Sequence, residues 1–382
     1  MTTTRRTTAR PLVQVVTALA LLALAVVPTT AAAAPADGPD AAVPSSGCGT
    51  SLTEPVVEEQ RFIDIGGSER WFLLTVPGAH DGTTPLPVVI DFHGLAEGAQ
   101  IHTLMSEFSG VGEREGFVVV FPQGRFDPVR WDADPNSSPN EDLLFVEGML
   151  DTLGDELCLD ERRVYAAGLS YGAFMTSLVT CSLSDRFAAA APVAGIRLPD
   201  PCPQGRDVPI VTFHGTDDAI VLFNGGFGQL PLGAEPAATP SAVDLNGPGI
   251  PANVAGWAAR NGCDPTPTDT QTTSEILHRV YDCPAGADVE FYIVLGGGHT
   301  WPGSEFSRVI EQVVGYTTFD VHASEVAWSF FEQFQLPCPT DAACDEPDDP
   351  SESPPSTRDT QPSPATARAA QASPVAQPTF TG

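Results

Sequence analysis

The sequence contains no lysine; all 18 of its basic residues are arginine. That absence removes Schiff-base chemistry, a phosphate-loop lysine and a Ser–Lys dyad from the reactions open to the chain. Positive charge is scarce altogether, with 18 arginines against 49 acidic residues and a net charge of −31. A surface of that sign repels nucleic acid and anionic membrane, so neither is expected as a partner. Close cysteine pairs are missing as well. The eight cysteines are Cys48, Cys158, Cys181, Cys202, Cys263, Cys283, Cys338 and Cys344. None of them forms a C-x-x-C spacing, which argues against a zinc site, and no metal is expected.

A long apolar run occurs only at the start. "MTTTRRTTARPLVQVVTALALLALAVVPTTAAAAPADG" has arginines, an apolar core and then small residues. It reads as a secretory signal peptide over residues 1–34, cleaved near Ala32 to Ala34. The core is short for a membrane anchor, and no cysteine stands at the cleavage zone to carry a lipid. A secreted protein with no membrane insertion after cleavage is expected. Residues 345–382, rich in Pro, Ser, Thr and Ala, cannot bury enough apolar surface to offset chain entropy. They are expected to form a disordered tail suited to a linker or to cell-wall association. The remainder, residues 35–344, suits one catalytic-size domain, expected to be a monomer. On an exported chain, eight cysteines read as disulfides. Short loops favour Cys263 with Cys283 and Cys338 with Cys344; the other four stay open.

Within that domain, "RFIDIGG" and "RWFLLTVPG" predict an early hairpin. "LPVVIDFHG" (86–94), "GFVVVFPQG" (116–124), "RRVYAAGLS", "FAAAAPVAG" (187–195), "VPIVTFHG" (208–215) and "VEFYIVLGGG" (289–298) are nearly continuous apolar runs ending in glycine or serine. Strands buried on both faces read this way. Helical spacing covers 99–115, 141–157 and about 321–334. The alternation predicts an α/β fold with a mostly parallel central sheet and helices on both faces. Functional residues then belong just after the strands, at their carboxyl ends. Residues 223–251, rich in Gly, Pro and Ala, predict an irregular excursion over the site.

The run "VYAAGLSYGAFMTSL" places Ser170 between Gly168 and Gly172 where a strand meets a helix. This is the G-x-S-x-G pattern of a nucleophile elbow, a turn so tight that the serine's neighbours must lack side chains. A serine nucleophile needs a base, and lysine is absent. In this arrangement an acid and then a histidine follow the serine. His299 stands in "GGGHTWPG" just past the last parallel strand and is the expected base. His278 and His322 read as surface residues, and His214 as a turn-shaping one. The acid is sought in "HGTDDAIV", where Asp217 and Asp218 both qualify on spacing. Two backbone N–H groups form an oxyanion hole. Tyr171 follows the nucleophile, and Leu95 directly follows His93-Gly94. Trp301 and Trp131 are candidate substrate walls, with a packing tryptophan as the alternative for Trp301. His93 is a third wall candidate, although a histidine at a strand end before glycine also fits a structural role.

"RRVYAAGLSYGAFMTSLVTC…DRFAAAAPVAG", "FHGTDD" and "GGGHTWPG", in this order, resemble the secreted α/β-hydrolase esterases known as polyhydroxybutyrate depolymerases and feruloyl esterases. The similarity runs over about 86–328. The resemblance implies an α/β-hydrolase fold and an acid at the last position of His-Gly-x-x-Asp, which is Asp218. It also implies an oxyanion loop at His93-Gly94-Leu95. This sequence departs there: Leu95-Ala96-Glu97 stands where the family carries a small or cysteine residue and a second glycine. "GLSYGAFMT" and "HGTDDAIV" also resemble prolyl oligopeptidase-type peptidases, but too few residues precede residue 86 for their propeller domain.

A serine carboxylic ester hydrolase acting through an acyl-enzyme is the reaction these residues predict, with no cofactor. Its substrate would be a polymeric or small ester, either a polyhydroxyalkanoate or a feruloyl or acetyl plant cell-wall ester. The rivals are a serine peptidase, a silent binding protein on the same fold, and an acyltransferase using the same acyl-enzyme.

Overall fold

The computed structural model describes residues 41–50, 52, 55–203, 205–228 and 242–339, which lie in the compact unit Asp37–Gly382. The expected signal peptide, the expected tail, Cys344 and residues 229–241 of the Gly/Pro-rich excursion lie outside the described residues.

Among the described residues, ten strands form one sheet. In chain order the elements are β1 (Val56–Ile65), β2 (Ser68–Val76), β3 (Leu86–Phe92), α1 (Ala99–Ser106), α2 (Phe108–Glu115), β4 (Val118–Pro122), α3 (Glu141–Glu156), β5 (Leu159–Leu169), α4 (Tyr171–Ser182), β6 (Ala189–Val193), β7 (Ile210–Gly215), α5 (Ile250–Arg260), β8 (Thr268–Gln271), β9 (Ile276–Val280), β10 (Val289–Val294), the short α6 (Glu305–Val309) and α7 (Glu311–Val314), and α8 (Ala323–Phe331). The strand order is β1-β2-β4-β3-β5-β6-β7-β10-β9-β8. The six central strands are parallel, and antiparallel pairs close both edges. This is the α/β-hydrolase architecture, a mostly parallel sheet with helices.

The central strands lack polar alternation because both faces are covered. Val88, Ile90, Val118 and Val120 pack with α3 and α4 on one side. Their neighbours Val89, Val119 and Phe121 pack with α1, α2 and α8 on the other. A side-chain period of two thus places each apolar run in two cores at once.

Two expectations are corrected. The helix expected over 99–115 is two helices, because Glu107 adopts a left-handed φ of 58° and ends α1. Residues 268–280, not foreseen as strands, form β8 and β9 on the sheet edge. Cys263 pairs with Cys283 as expected, and the open four resolve as Cys48–Cys158 and Cys181–Cys202. Cys338 is disulfide-bonded too. The Cys48–Cys158 bridge spans 110 residues, a loop length whose closure contributes about 4–5 kcal/mol through the unfolded chain.

Candidate active site

Ser170 sits between β5 and α4 with φ 57° and ψ −113°. A non-glycine residue there carries strain of about 1–3 kcal/mol and persists only where the surroundings over-determine it. Here the Ser170 N–H donates to the Val193 carbonyl at 2.8 Å. The flanking glycines allow the crossing. A Cβ on Gly172 would stand 1.9 Å from the Phe92 carbonyl oxygen, and one on Gly168 2.7 Å from the backbone of Gly172. Ser170 is therefore held at the positive end of α4. Its hydroxyl makes no hydrogen bond among the described residues, a state common before substrate binds.

His299 follows β10, and its Nδ1 lies 2.7 Å from Asp218 Oδ2. Asp218 is buried in the turn after β7, where its Oδ1 accepts from the N–H groups of Ile220 (2.8 Å) and Val221 (2.9 Å). His214 Nε2 stands 3.1 Å from Oδ2 and 2.8 Å from the Val221 carbonyl. Burial opposes the Asp218 charge, but His299 and His214 outweigh it and hold the carboxyl well below the usual range. An ionised Asp218 makes His299 Nδ1 the donor and leaves Nε2 as an acceptor. Asp217 is exposed, its N–H bonded to the Gly297 carbonyl at 2.9 Å. Of the two candidate acids, the one beside His299 is Asp218.

The loop after β3 lies across from the elbow. Gly94 N–H donates to Glu97 Oε2 at 2.5 Å, and Ala96 N–H to the Val129 carbonyl at 2.7 Å. The Leu95 N–H between them has no partner among the described residues, as has that of Tyr171 at the first position of α4. Ala96 has φ 60°, a conformation open to glycine without strain. The Glu97 carboxylate, holding the Gly94 N–H, braces this turn. Glu97 Oε1 also lies 3.0 Å from His102 Nδ1. His102 Nε2 lies 2.9 Å from Asp91 Oδ1, off the line of a hydrogen bond. His102 is wholly buried. Burial opposes its charge, yet Asp91 and Glu97 prevail and raise it to about 10. The sequence reading missed this cluster and the His214–Asp218 contact. The available signals were Asp91, a charge inside an apolar strand, and the four-residue spacing of His214 and Asp218.

Three expected wall residues are corrected. Trp301 is fully buried, with its indole N–H donating to Ser324 Oγ at 3.0 Å and its ring against Phe108. Trp131 is buried too, donating to the His93 carbonyl at 2.9 Å. His93 accepts the Gly124 N–H on Nε2 at 2.9 Å, and burial pushes it down to about 4, so it stays neutral. All three pack beneath the site. His278 lies half-buried on β9, stacked on Tyr292 and 2.8 Å from Glu290, so it is no simple surface residue. The walls are mostly aliphatic and aromatic groups, with Glu97 and Arg197 among them. Ser170, His299, Leu95 and Tyr171 border one cavity of about 500 Å³, closed by residues such as Phe174, Ile220, Phe227 and Val313.

No family model matches the chain. It is 27% identical over 275 residues to feruloyl esterase B of Piromyces equi, covering 70% of this chain and 46% of that protein. It is 28% identical over 246 residues to poly(3-hydroxyalkanoate) depolymerase C of Paucimonas lemoignei, covering 56% and 55%. The chain spans about half the length of these curated relatives. An acetyl xylan esterase from Aspergillus awamori shares the fold, with a TM-score of 0.52 at 14% identity over 72% of this chain and 99% of that one. The chain has the α/β-hydrolase fold and is similar in sequence to feruloyl esterases and poly(3-hydroxyalkanoate) depolymerases.

Proposed function

We propose that the protein is an exported serine esterase that cleaves carboxylic esters in two acyl-transfer steps. The observation that carries this reading is the strained Ser170, held at the border of an apolar cavity shared with His299, which is itself bonded to the buried Asp218. His299 Nε2 takes the Ser170 proton as Oγ attacks the ester carbonyl, and Asp218 stabilises the imidazolium. The amides of Tyr171 and Leu95 receive the oxyanion. His299 then protonates the leaving alcohol, and water, activated by the same imidazole, releases the acid.

The substrate class is a hydrophobic ester, either a polyhydroxyalkanoate or a feruloyl or acetyl ester of plant cell walls. The apolar cavity supports this, as does an exposed apolar rim: Val313 is 61% and Ile101 41% exposed beside the opening. Such a rim suits adsorption to a polymer. The disulfides suit an oxidising compartment.

Hydrolysis of methyl ferulate, acetylated xylan and a 3-hydroxybutyrate oligomer, with Ser170→Ala as control, tests both levels of the reading. One substrate cleaved far faster than the others, with an inert variant, is expected. A Ser170→Ala protein of near-native activity overturns the mechanism. Turnover of only a p-nitrophenyl ester overturns the substrate class.

A further inference from the structure

Arg197 lies on the loop after β6, two residues past Gly195, and borders the same cavity as Ser170. Its guanidinium stacks on the Phe174 ring at 3.5 Å from the centroid and faces Phe227 at 5.6 Å. Its backbone is pinned on both sides: the N–H donates to Ser177 Oγ at 3.2 Å, and the carbonyl accepts the Trp257 indole at 2.7 Å. The guanidinium itself has no hydrogen bond or ion pair among the described residues.

Every other arginine of the described residues has one. Arg279 holds Asp269 with two parallel bonds at 2.7 and 2.8 Å. Arg70 meets Asp142 at 2.7 Å, Arg162 binds the Leu336 and Ala41 carbonyls, and Arg206 binds carbonyls near α4. The remainder pair at the surface. In a chain with 49 acidic residues, a half-buried guanidinium with neither a carboxylate nor a carbonyl partner stands out. Stacking does not account for it, because a ring engages the face of a guanidinium while its N–H donors point outward in the plane. Burial also lowers the Arg197 pKa, opposed only by the nearby Tyr171 hydroxyl. Glu97, the one carboxylate among the described residues of the cavity wall, is engaged by Gly94 and His102.

We infer that Arg197 is a carboxylate-binding subsite, and that the preferred substrates are hydrophobic esters carrying a free carboxylate away from the scissile bond. A planar fork of donors matches two carboxylate oxygens, and the preset backbone lowers the cost of ordering it. Oligoesters ending in an acid and monoesters of dicarboxylic acids are the matching chemical class. The inference rests on the esterase reading for its role in turnover, but not for binding.

The test separates the two. Monomethyl and dimethyl esters of the linear dicarboxylic acids from succinate to suberate are titrated calorimetrically into the Ser170→Ala protein. At the best chain length the monoester is expected to bind roughly 10- to 100-fold more tightly than the diester. Adding Arg197→Met is expected to erase that preference, and Arg197→Lys to retain part of it. In the Ser170-intact enzyme, Arg197→Met is expected to lower the monoester-to-diester ratio of kcat/KM by a similar factor. Equal or tighter diester binding at every length overturns the subsite, as does a preference that survives Arg197→Met. If the preference holds but the Ser170-intact enzyme cleaves neither ester nor a p-nitrophenyl ester, the esterase reading fails and the carboxylate site stands.

Discussion

His299 and His102 both follow strands of the parallel sheet, and each has a carboxylate within 3.0 Å. His102 faces two carboxylates, Asp91 and Glu97, so both ring nitrogens are engaged and the ring is wholly buried. Raised to about 10, it stays an imidazolium at neutral pH and has no lone pair to accept a proton. His299 has one carboxylate, on Nδ1, and its ring borders the cavity. A histidine can act as a base when one nitrogen is oriented and the other is free to meet substrate. When both are held, the same residue types become a fixed internal charge that shapes a loop.

Exchanging the roles in turn breaks that comparison. His299→Ala is expected to lower kcat on a neutral p-nitrophenyl ester by about 10⁶-fold, as for other serine hydrolases that lose their base, with little change in melting temperature. Asp218→Asn, which keeps the shape but permits the wrong imidazole tautomer, should cost about 10⁴-fold. Steady-state kinetics on folded protein, verified by circular dichroism, checks both. A loss under tenfold for either would remove that residue from the proposed mechanism.

His102 should show the reverse pattern. His102→Ala leaves two buried carboxylates without their cation, and breaking a buried pair costs about 3–5 kcal/mol. Urea unfolding is expected to show that loss. The pH dependence sharpens the contrast. A group whose folded value lies near 10, against an ordinary 6.5, adds stability that is complete below about pH 6.5 and is lost as pH rises through 10. Asp218, held low, behaves oppositely: its contribution is present above its ordinary value of 3.8 and fades as pH falls below it. Between pH 7 and 10 the unfolding midpoint of the parent protein should therefore fall more steeply than that of His102→Gln. Parallel curves would show that His102 carries no excess charge.

The legible parts of this molecule are the local ones. Continuous apolar runs mark β3, β4, β5, β6 and β7 because both faces of those strands are covered, and β10 because one face is covered and the other half-buried. The elbow is visible at Ser170 because its tight turn demands Gly168 and Gly172 within two residues. β8 is not legible: its Thr-Asp-Thr-Gln is exposed throughout, and pairing with β9 alone defines it. Burial is not local either. Trp301 stands two residues past His299 in sequence yet points into packing, as does Trp131. Whether an arginine such as Arg197 has a partner depends on neighbours from other elements. The Asp91–His102–Glu97 cluster needs β3 and α1 to meet before its charges belong together.

The smallest expected effect probes how that cluster reaches the elbow. Glu97→Gln keeps the side-chain volume and one acceptor oxygen but removes the charge. The Gly94 N–H then loses a charge-assisted bond of 2.5 Å for a neutral one, roughly half as strong. The loop that carries the free Leu95 amide loosens, while Ser170, His299 and Asp218 keep their places. Since that amide acts on the charge developing in the transition state, kcat should fall while KM stays nearly level. Full removal of an oxyanion donor costs about 10²–10³-fold, so loosening one is expected to cost on the order of tenfold. Glu97→Asp keeps the charge but shortens the reach, and should lose at least as much. If instead KM rises with kcat unchanged, Glu97 acts on substrate binding, and the link from His102 through Gly94 to the oxyanion is broken.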